Sequence, residues 1–246
     1  MTSPSSPTPD AADQTKGLVI YRASRLEALL DPLLALMDSA PPQYVLQPHN
    51  VIAAHPGMKQ WLTRAIARKR GPGGIAANID IVLPSIWLDR LAQHVLGEEA
   101  IALRPYRRET LRWRIHDVLG VINDAQVSAY LRGDGVPRRR FQLADRLARI
   151  YSQYLVYRTD WLQAWARGES GPIDSGLLAP LWRELRTAIG QPHRGERLGQ
   201  LIVKLKVGKI TLAASEPLHV FGVSHLAPSE LAVLRAVAAH RMVVLY

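Results

Sequence analysis

Two kinds of side chain decide what chemistry this sequence can perform, and the reactive kind is nearly missing. The 246 residues contain no cysteine, which excludes a disulfide framework, a thiolate zinc site, an iron–sulfur cluster and a cysteine nucleophile together. A triphosphate cradle needs Gly-x-x-x-x-Gly-Lys-Ser/Thr after a strand. The segment following the first apolar run is instead Tyr21-Arg22-Ala23-Ser24-Arg25-Leu26-Glu27, with neither glycine nor lysine. Glu-x-Lys and His-Glu-x-x-His, which seat divalent ions, do not occur. Gly222-Val223-Ser224-His225-Leu226 sets a serine after a strand, but Leu226 replaces the second glycine of a nucleophile elbow, so a strand-to-helix turn is the simpler reading. Catalysis by this segment is not expected.

The abundant kind is cationic. Lys plus Arg is 31 against 21 Asp plus Glu, a net charge of +10, which favours a polyanionic partner. The excess is concentrated. Lys59, Arg64, Arg68, Lys69 and Arg70 fall in 58–70 with no acid. Arg104, Arg107, Arg108, Arg112 and Arg114 stand against Glu109 alone, and Arg132, Arg138, Arg139, Arg140, Arg146 and Arg149 against Asp134 and Asp145. Each cluster alone also describes a solvated helix face. Interleaving with Trp61, Trp87, Trp113, Tyr151, Tyr154 and Tyr157 suggests single-stranded nucleic acid, held by cations on phosphates and rings under bases; aromatics at helical spacing are also core material.

These residues must be carried by alternating strands and helices. Gly17–Tyr21 reads as a strand before a helix over Ser24–Met37, Asn50–His55 as a strand with a Pro56-Gly57 turn and a helix over Met58–Arg70, and Ile79–Leu83 as a strand before a helix over Ser85–Leu96 capped by Ser85. Apolar strands alternating with helices imply a parallel sheet covered on both faces. From about Arg104 the strand signal stops and amphipathic helices follow, marked by Leu111, Ile115 and Leu119, then Ala144, Leu147, Tyr151 and Leu155. The strand rhythm returns at His219–Val223, with a helix over Pro228–Ala239 and a last apolar run, Met242–Tyr246. The expected organisation is α/β: a disordered tail over 1–16, a sheet domain from 17–103 plus 217–246, and a helical subdomain inserted at 104–216. No apolar run reaches the roughly 20 residues of a spanning helix and the tail lacks a signal's apolar block, so a cytoplasmic protein without membrane contact is expected. The chain stops inside an apolar strand, which suggests the N-terminal piece of a longer protein.

Three blocks carry a family resemblance. His55-Pro-Gly-Met-Lys-Gln-Trp-Leu62 with Gly74-Ile-Ala-Ala-Asn-Ile-Asp80, then Phe141-Gln-Leu143 with Gln153-Tyr-Leu-Val-Tyr-Arg158 and Asp160-Trp-Leu162, then Phe221-Gly-Val-Ser224 resemble the start of the RecC-type gamma subunit of exodeoxyribonuclease V. The resemblance runs from about Gly17 to Tyr246. It implies a RecA-like sheet of a superfamily 1 helicase core that has lost its nucleotide motifs, with an inserted helical subdomain. It implies no cofactor in this chain, ATP and Mg²⁺ being used by RecB-type and RecD-type partner subunits. It further implies a DNA-binding role in double-strand break repair, in which the gamma subunit splits the duplex and scans the emerging 3′-ended single strand for Chi.

Carried over residue by residue, the strand-facing positions are Gln60, Leu83, Trp87, Gln153, Arg158 and Arg194. Arg158 and Arg194 are expected on phosphates or bases, Trp87 as a stacking side chain, Gln60 and Gln153 as amide readers. Ala54, Pro56, Arg149 and Ser152 depart from the family's polar or acidic residues, and Arg149 favours phosphate where an acid favours a base amino group. Tracking of DNA is thus expected to be retained while the recognised sequence differs. The competing expectation is a docking module for the partner helicase subunits that reads no DNA itself.

Overall fold

The computed structural model describes residues 16–41, 44, 46–97, 104–169, 176–207 and 216–246; the tail over 1–15 and the Gly208-Lys209 pair lie outside them. Two compact units form: Met1–Val95 with Ile202–Leu226 and Glu230–Tyr246, and Leu96–Leu201 with Ala227–Ser229.

The first unit is built on five parallel strands, β1 (Gly17–Ile20), β2 (His49–Ala53), β3 (Ile79–Val82), β4 (Leu218–Phe221) and β5 (Met242–Leu245), in the order β1-β5-β4-β2-β3. Leaving a parallel strand requires a crossover, and four helices supply the cover. On one face α1 (Leu30–Ser39) and α2 (Pro56–Lys69) bury Leu33, Met37, Leu62 and Ile66 against Val51, Ala53, Ile81, Phe221 and Val244. On the other, α3 (Pro84–Leu96) and α10 (Pro228–Ala238) bring Leu88 and Leu234 over Ile52 and Val220. The cover is incomplete. In the edge strand β1, Leu18, Val19 and Ile20 are 37%, 37% and 52% exposed, contrary to a sheet buried on both faces.

Local chemistry moves several expected boundaries. Pro56 and Gly57 form the first turn of α2, not a separate turn, because proline suits a helix start, and the His55 ring accepts the Met58 N–H at 3.2 Å as cap. For the same reason α3 begins at Pro84, and Ser85 lies inside the helix instead of capping it. The expected first helix opens with a 3₁₀ turn at Leu26–Leu29, and its α-helical part starts only at Leu30. Gly222 ends β4 at φ +66, with Met58 Cε 2.8 Å from where a Cβ would stand, so the strand closes on the one residue without a side chain.

The second unit is helical. It comprises α4 (Arg108–Val118), α5 (Ala125–Tyr130), α6 (Val136–Tyr157), α7 (Thr159–Ala166), α8 (Leu178–Ile189) and the first part of α9 (Arg194–Val207). Its core includes Leu111, Ile115, Ala144, Leu147, Tyr151, Leu155, Leu162, Trp165, Leu181 and Trp182. Two large polar side chains taken inside find backbone partners: the Trp182 indole donates to the Leu162 carbonyl at 2.8 Å and the Tyr151 hydroxyl to the Leu178 carbonyl at 2.7 Å.

Each unit also buries a neutral histidine. Burial is the largest effect on both: it holds His193 down to about 4 and, helped by His49 and Arg241, His219 down to about 3. Both folded values lie below the unfolded 6.5, so the unfolded chain takes up the extra protons as pH falls from 6.5 and stability is lost with acidification. Between pH 6.5 and 5 each histidine is expected to cost on the order of 2 kcal/mol. Urea titrations across that window on the wild type, His193→Gln and His219→Gln check this; each variant should flatten the pH dependence.

Candidate nucleic-acid interface

The cations sort into those already matched and those left open. Lys69 pairs with Asp31 at 2.7 Å, and Asp145 takes both Arg108 at 2.9 Å and Arg112 at 3.5 Å. Arg139 turns back to cap the Arg132 and Asp134 carbonyls, and Arg140 Nε donates to His116 Nε2 at 3.0 Å. Apart from the exposed Arg132, what the third cluster leaves outward lies on α6. This helix buries Ala144, Leu147, Ala148, Tyr151 and Leu155. The opposite face carries Arg138, Gln142, Arg146, Arg149, Gln153 and Tyr157, all exposed and spaced by three or four residues. At 1.5 Å per residue the stripe is about 28 Å long. It contains no acid, and none of its three arginines makes a hydrogen bond or ion pair with the described residues.

A groove follows the stripe. About 560 Å³ in volume, it is lined by Phe141, Gln142, Asp145, Arg146, Arg149 and Ile150. The half-buried Phe141 and Ile150 form its apolar lining, Asp145 is compensated by Arg108 and Arg112, and Arg146 and Arg149 supply open cations. Arg112 lies 5.0 Å from the Phe141 ring and 5.5 Å from that of Trp113, which is 53% exposed. Guanidinium groups over and beside exposed rings can hold phosphates and stack bases.

The six carried-over positions divide between the units. Gln60, exposed, and Leu83 and Trp87, half-buried, sit in the first turns of α2 and at the start of α3, which leave the C-terminal ends of the neighbouring strands β2 and β3. Gln153, Arg158 and Arg194 belong to the helical unit. Arg158 ends α6 and precedes α7, its guanidinium 5.0 Å from the Trp161 ring. Gly195 brings α9 against that corner, since a Cβ there would come within 2.5 Å of Thr159. Arg158 and Arg194 therefore share one end of the unit. Behind Arg194, the His193 ring packs edge-on against Tyr106 and Trp182, and its Nδ1 accepts the Gly195 N–H at 3.1 Å.

Of the interleaved aromatics, Trp113 and Tyr157 are exposed, whereas Tyr151 is fully buried, Trp61 stacks on Phe221 and Tyr154 packs on Trp161 and Trp165. The Ser152 hydroxyl donates to the Ala148 carbonyl at 2.7 Å, so it is spent inside the helix. Arg138, Gln142 and Arg146 were legible as charge or polarity but not as a stripe; the signal was the three-to-four spacing of exposed positions on one long helix. Among the described residues no group of His, Asp and Glu can hold a metal ion, and no helix is long and apolar enough to cross a membrane.

A family model described as RecC, N-terminal domain, matches residues 18–246. The chain belongs to that family. It is 30% identical over 240 residues to the RecBCD enzyme subunit RecC of Escherichia coli, covering 91% of this chain and 21% of the relative. The RecC subunits of Haemophilus influenzae and Mycobacterium tuberculosis are 24% and 28% identical, over 90% and 91% of this chain and 22% and 21% of theirs. The chain thus spans about a fifth of the length of the relatives it matches.

The seating of α9 in this RecC-family domain is testable. Gly195→Ala must push Thr159 aside and is expected to destabilise the helical unit by about 1–3 kcal/mol. A double-mutant cycle with Thr159→Gly should recover part of that loss, and strict additivity would show that the two residues do not touch.

Proposed function

We propose that this chain is the N-terminal DNA-binding part of a non-catalytic RecC-type subunit of exodeoxyribonuclease V, acting in double-strand break repair by homologous recombination. On this reading the parallel sheet is a RecA-like helicase core without nucleotide chemistry, and RecB-type and RecD-type partners in the cytoplasm supply ATP hydrolysis with Mg²⁺. The 3′-ended strand is scanned for Chi, with Gln60, Leu83, Trp87, Gln153, Arg158 and Arg194 facing it. The observation that carries the reading is the α6 stripe. Three open arginines and two amides along about 28 Å of one helix, without an acid, match a sugar-phosphate backbone better than a folded protein surface, where cations meet carboxylates.

A second reading, a docking module for partner subunits, is favoured by the uncovered side chains of β1. Apolar edge strands of this kind are surfaces that other chains bury.

Salt dependence separates the two. Single-strand affinity should fall steeply with salt, and replacing Arg138, Arg146 and Arg149 by alanine should flatten the slope of log K against log salt by about 2. Arg108→Ala, which removes a cation already matched by Asp145, should change it much less. Fluorescence anisotropy of a labelled oligonucleotide measures both. Wild-type affinity insensitive to salt, or no binding while co-purification with partner subunits persists, would favour docking.

A further inference from the structure

The turn that starts α6 holds a reactive pair. Asp134-Gly135 is the only Asp-Gly step in the sequence, and Asn-Gly does not occur. Both residues are exposed and directly precede Val136, the first residue of α6. Gly133 and Gly135 carry φ of +83 and +74, and nothing lies within 4 Å of where a Gly135 Cβ would stand. The backbone nitrogen after Asp134 is therefore free of the side-chain bulk that every other aspartate of the sequence meets in its successor.

Nothing competes for the two groups. The Asp134 carboxylate makes no hydrogen bond or ion pair with the described residues, whereas Asp145 holds Arg108 and Arg112, and Asp124 caps the Val127 N–H at 2.9 Å. The Gly135 N–H likewise has no acceptor among them. A free carboxyl beside a free amide nitrogen of the next residue can close into a five-membered imide, and placement within one chain replaces a high concentration of nucleophile.

Arg139 bears on the same peptide. Its Nη2 donates to the Arg132 and Asp134 carbonyls, and the second of these belongs to the very amide whose nitrogen is that of Gly135. Charge that develops on an amide as its N–H is lost resides largely on the oxygen. A guanidinium bonded to that oxygen favours the deprotonated, nucleophilic form. The clamp thus acts in two opposite ways: it restrains the turn, which slows ring closure, and it acidifies the attacking nitrogen, which speeds it.

We propose that Asp134-Gly135 is a site of spontaneous isoaspartate formation, with Arg139 activating the attacking amide. The Gly135 nitrogen bonds to Asp134 Cγ, the amide proton and the carboxyl hydroxyl leave together as water, and a succinimide remains. Water then adds back at one ring carbonyl. Addition at Cγ restores aspartate. Addition at the original backbone carbonyl breaks its bond to the Gly135 nitrogen and leaves the chain running through Cγ. No atom is gained or lost overall and nothing is oxidised. The product lengthens the main chain by one methylene immediately before α6 and turns the carbonyl that Arg139 grips into a carboxylate outside the main chain. The inference is independent of the DNA-binding reading.

The test is prolonged incubation of the whole 246-residue chain at neutral pH. Isoaspartate is read by methyl transfer from S-adenosylmethionine with an isoaspartyl methyltransferase, and peptide mapping locates it. Signal should accumulate in the peptide that spans Gly133 to Val136 and be lost in Asp134→Glu, whose ring closure is less favourable. Arg139→Gln keeps a donor but removes the charge, and should slow accumulation about threefold or more. Arg139→Lys should recover part of the rate, with circular dichroism matched to the wild type for each variant. Restraint of the turn alone predicts the reverse, so an equal or faster rate in Arg139→Gln overturns the role of Arg139. No isoaspartate in the wild type, over a period in which a synthetic peptide of the same turn accumulates it, overturns the site.

Discussion

Trp182 fixes most of what the helical unit presents to solvent. Its indole is fully buried, donates to the Leu162 carbonyl of α7, and packs against Tyr151 of α6, Tyr106 and His193. One side chain thereby sets the rotation of α6, the start of α7 and the approach to α9. Because Tyr151 must face inward, positions 138, 142, 146, 149, 153 and 157 must face outward; the rotation that satisfies the core also aligns the cations. The same contact seats His193, and with it Arg194. The unit has no cysteine to staple it, and among its described residues there is no metal cluster, so packing and buried hydrogen bonds carry that geometry.

The sheet unit solves a different problem. A parallel strand leaves its backbone at the far end of the sheet from where the next must begin, and each crossover covers part of one face. Strands β2, β4 and β5 are flanked on both sides and hold residues such as Val51, Ala53, Val220 and Val243 at or near zero exposure. Strand β1 is flanked only by β5, and its Leu18-Val19-Ile20-Tyr21 remain open to solvent, whereas β3, the other edge strand, buries Ile81 and Val82.

Legibility from sequence followed the range of the forces involved. All five strands and the helical stretch between them were readable, because apolar periodicity encodes them within a few residues. Helix starts were misplaced where proline and histidine act as capping devices, at His55-Pro56 and at Pro84, since each changes a boundary by a local hydrogen bond or a fixed φ without altering the periodic pattern. The sorting of cations was not readable at all. Arg139 and Arg146 look alike in a charge count, yet Arg139 folds onto a loop and Arg146 does not, and the difference depends on where Gly133 and Gly135 turn the chain before α6. Likewise Tyr151 and Tyr157 are separated by six residues on one helix but belong to core and surface respectively.

The open arginines of α6 carry a cost that a purely structural helix face would avoid. Arg146 and Arg149 are three apart, close enough to repel, and no acid of the stripe offsets them, whereas Asp145, next to Arg146 and one turn before Arg149, is already shared by Arg108 and Arg112. Repulsion of this kind is reduced by salt and removed by a bound polyanion, so any such ligand gains free energy that a neutral surface could not return. On the proposed DNA-binding reading affinity and stability are linked: a strand that matched the spacing of the stripe would bind the folded helical unit in preference to the unfolded chain and stabilise it in proportion. The arginine at 149 has a particular place in that balance. An acid there would pair with Arg146 and offset its charge; on the proposed reading a cation instead suits a helix that holds a backbone with a grip that depends little on sequence.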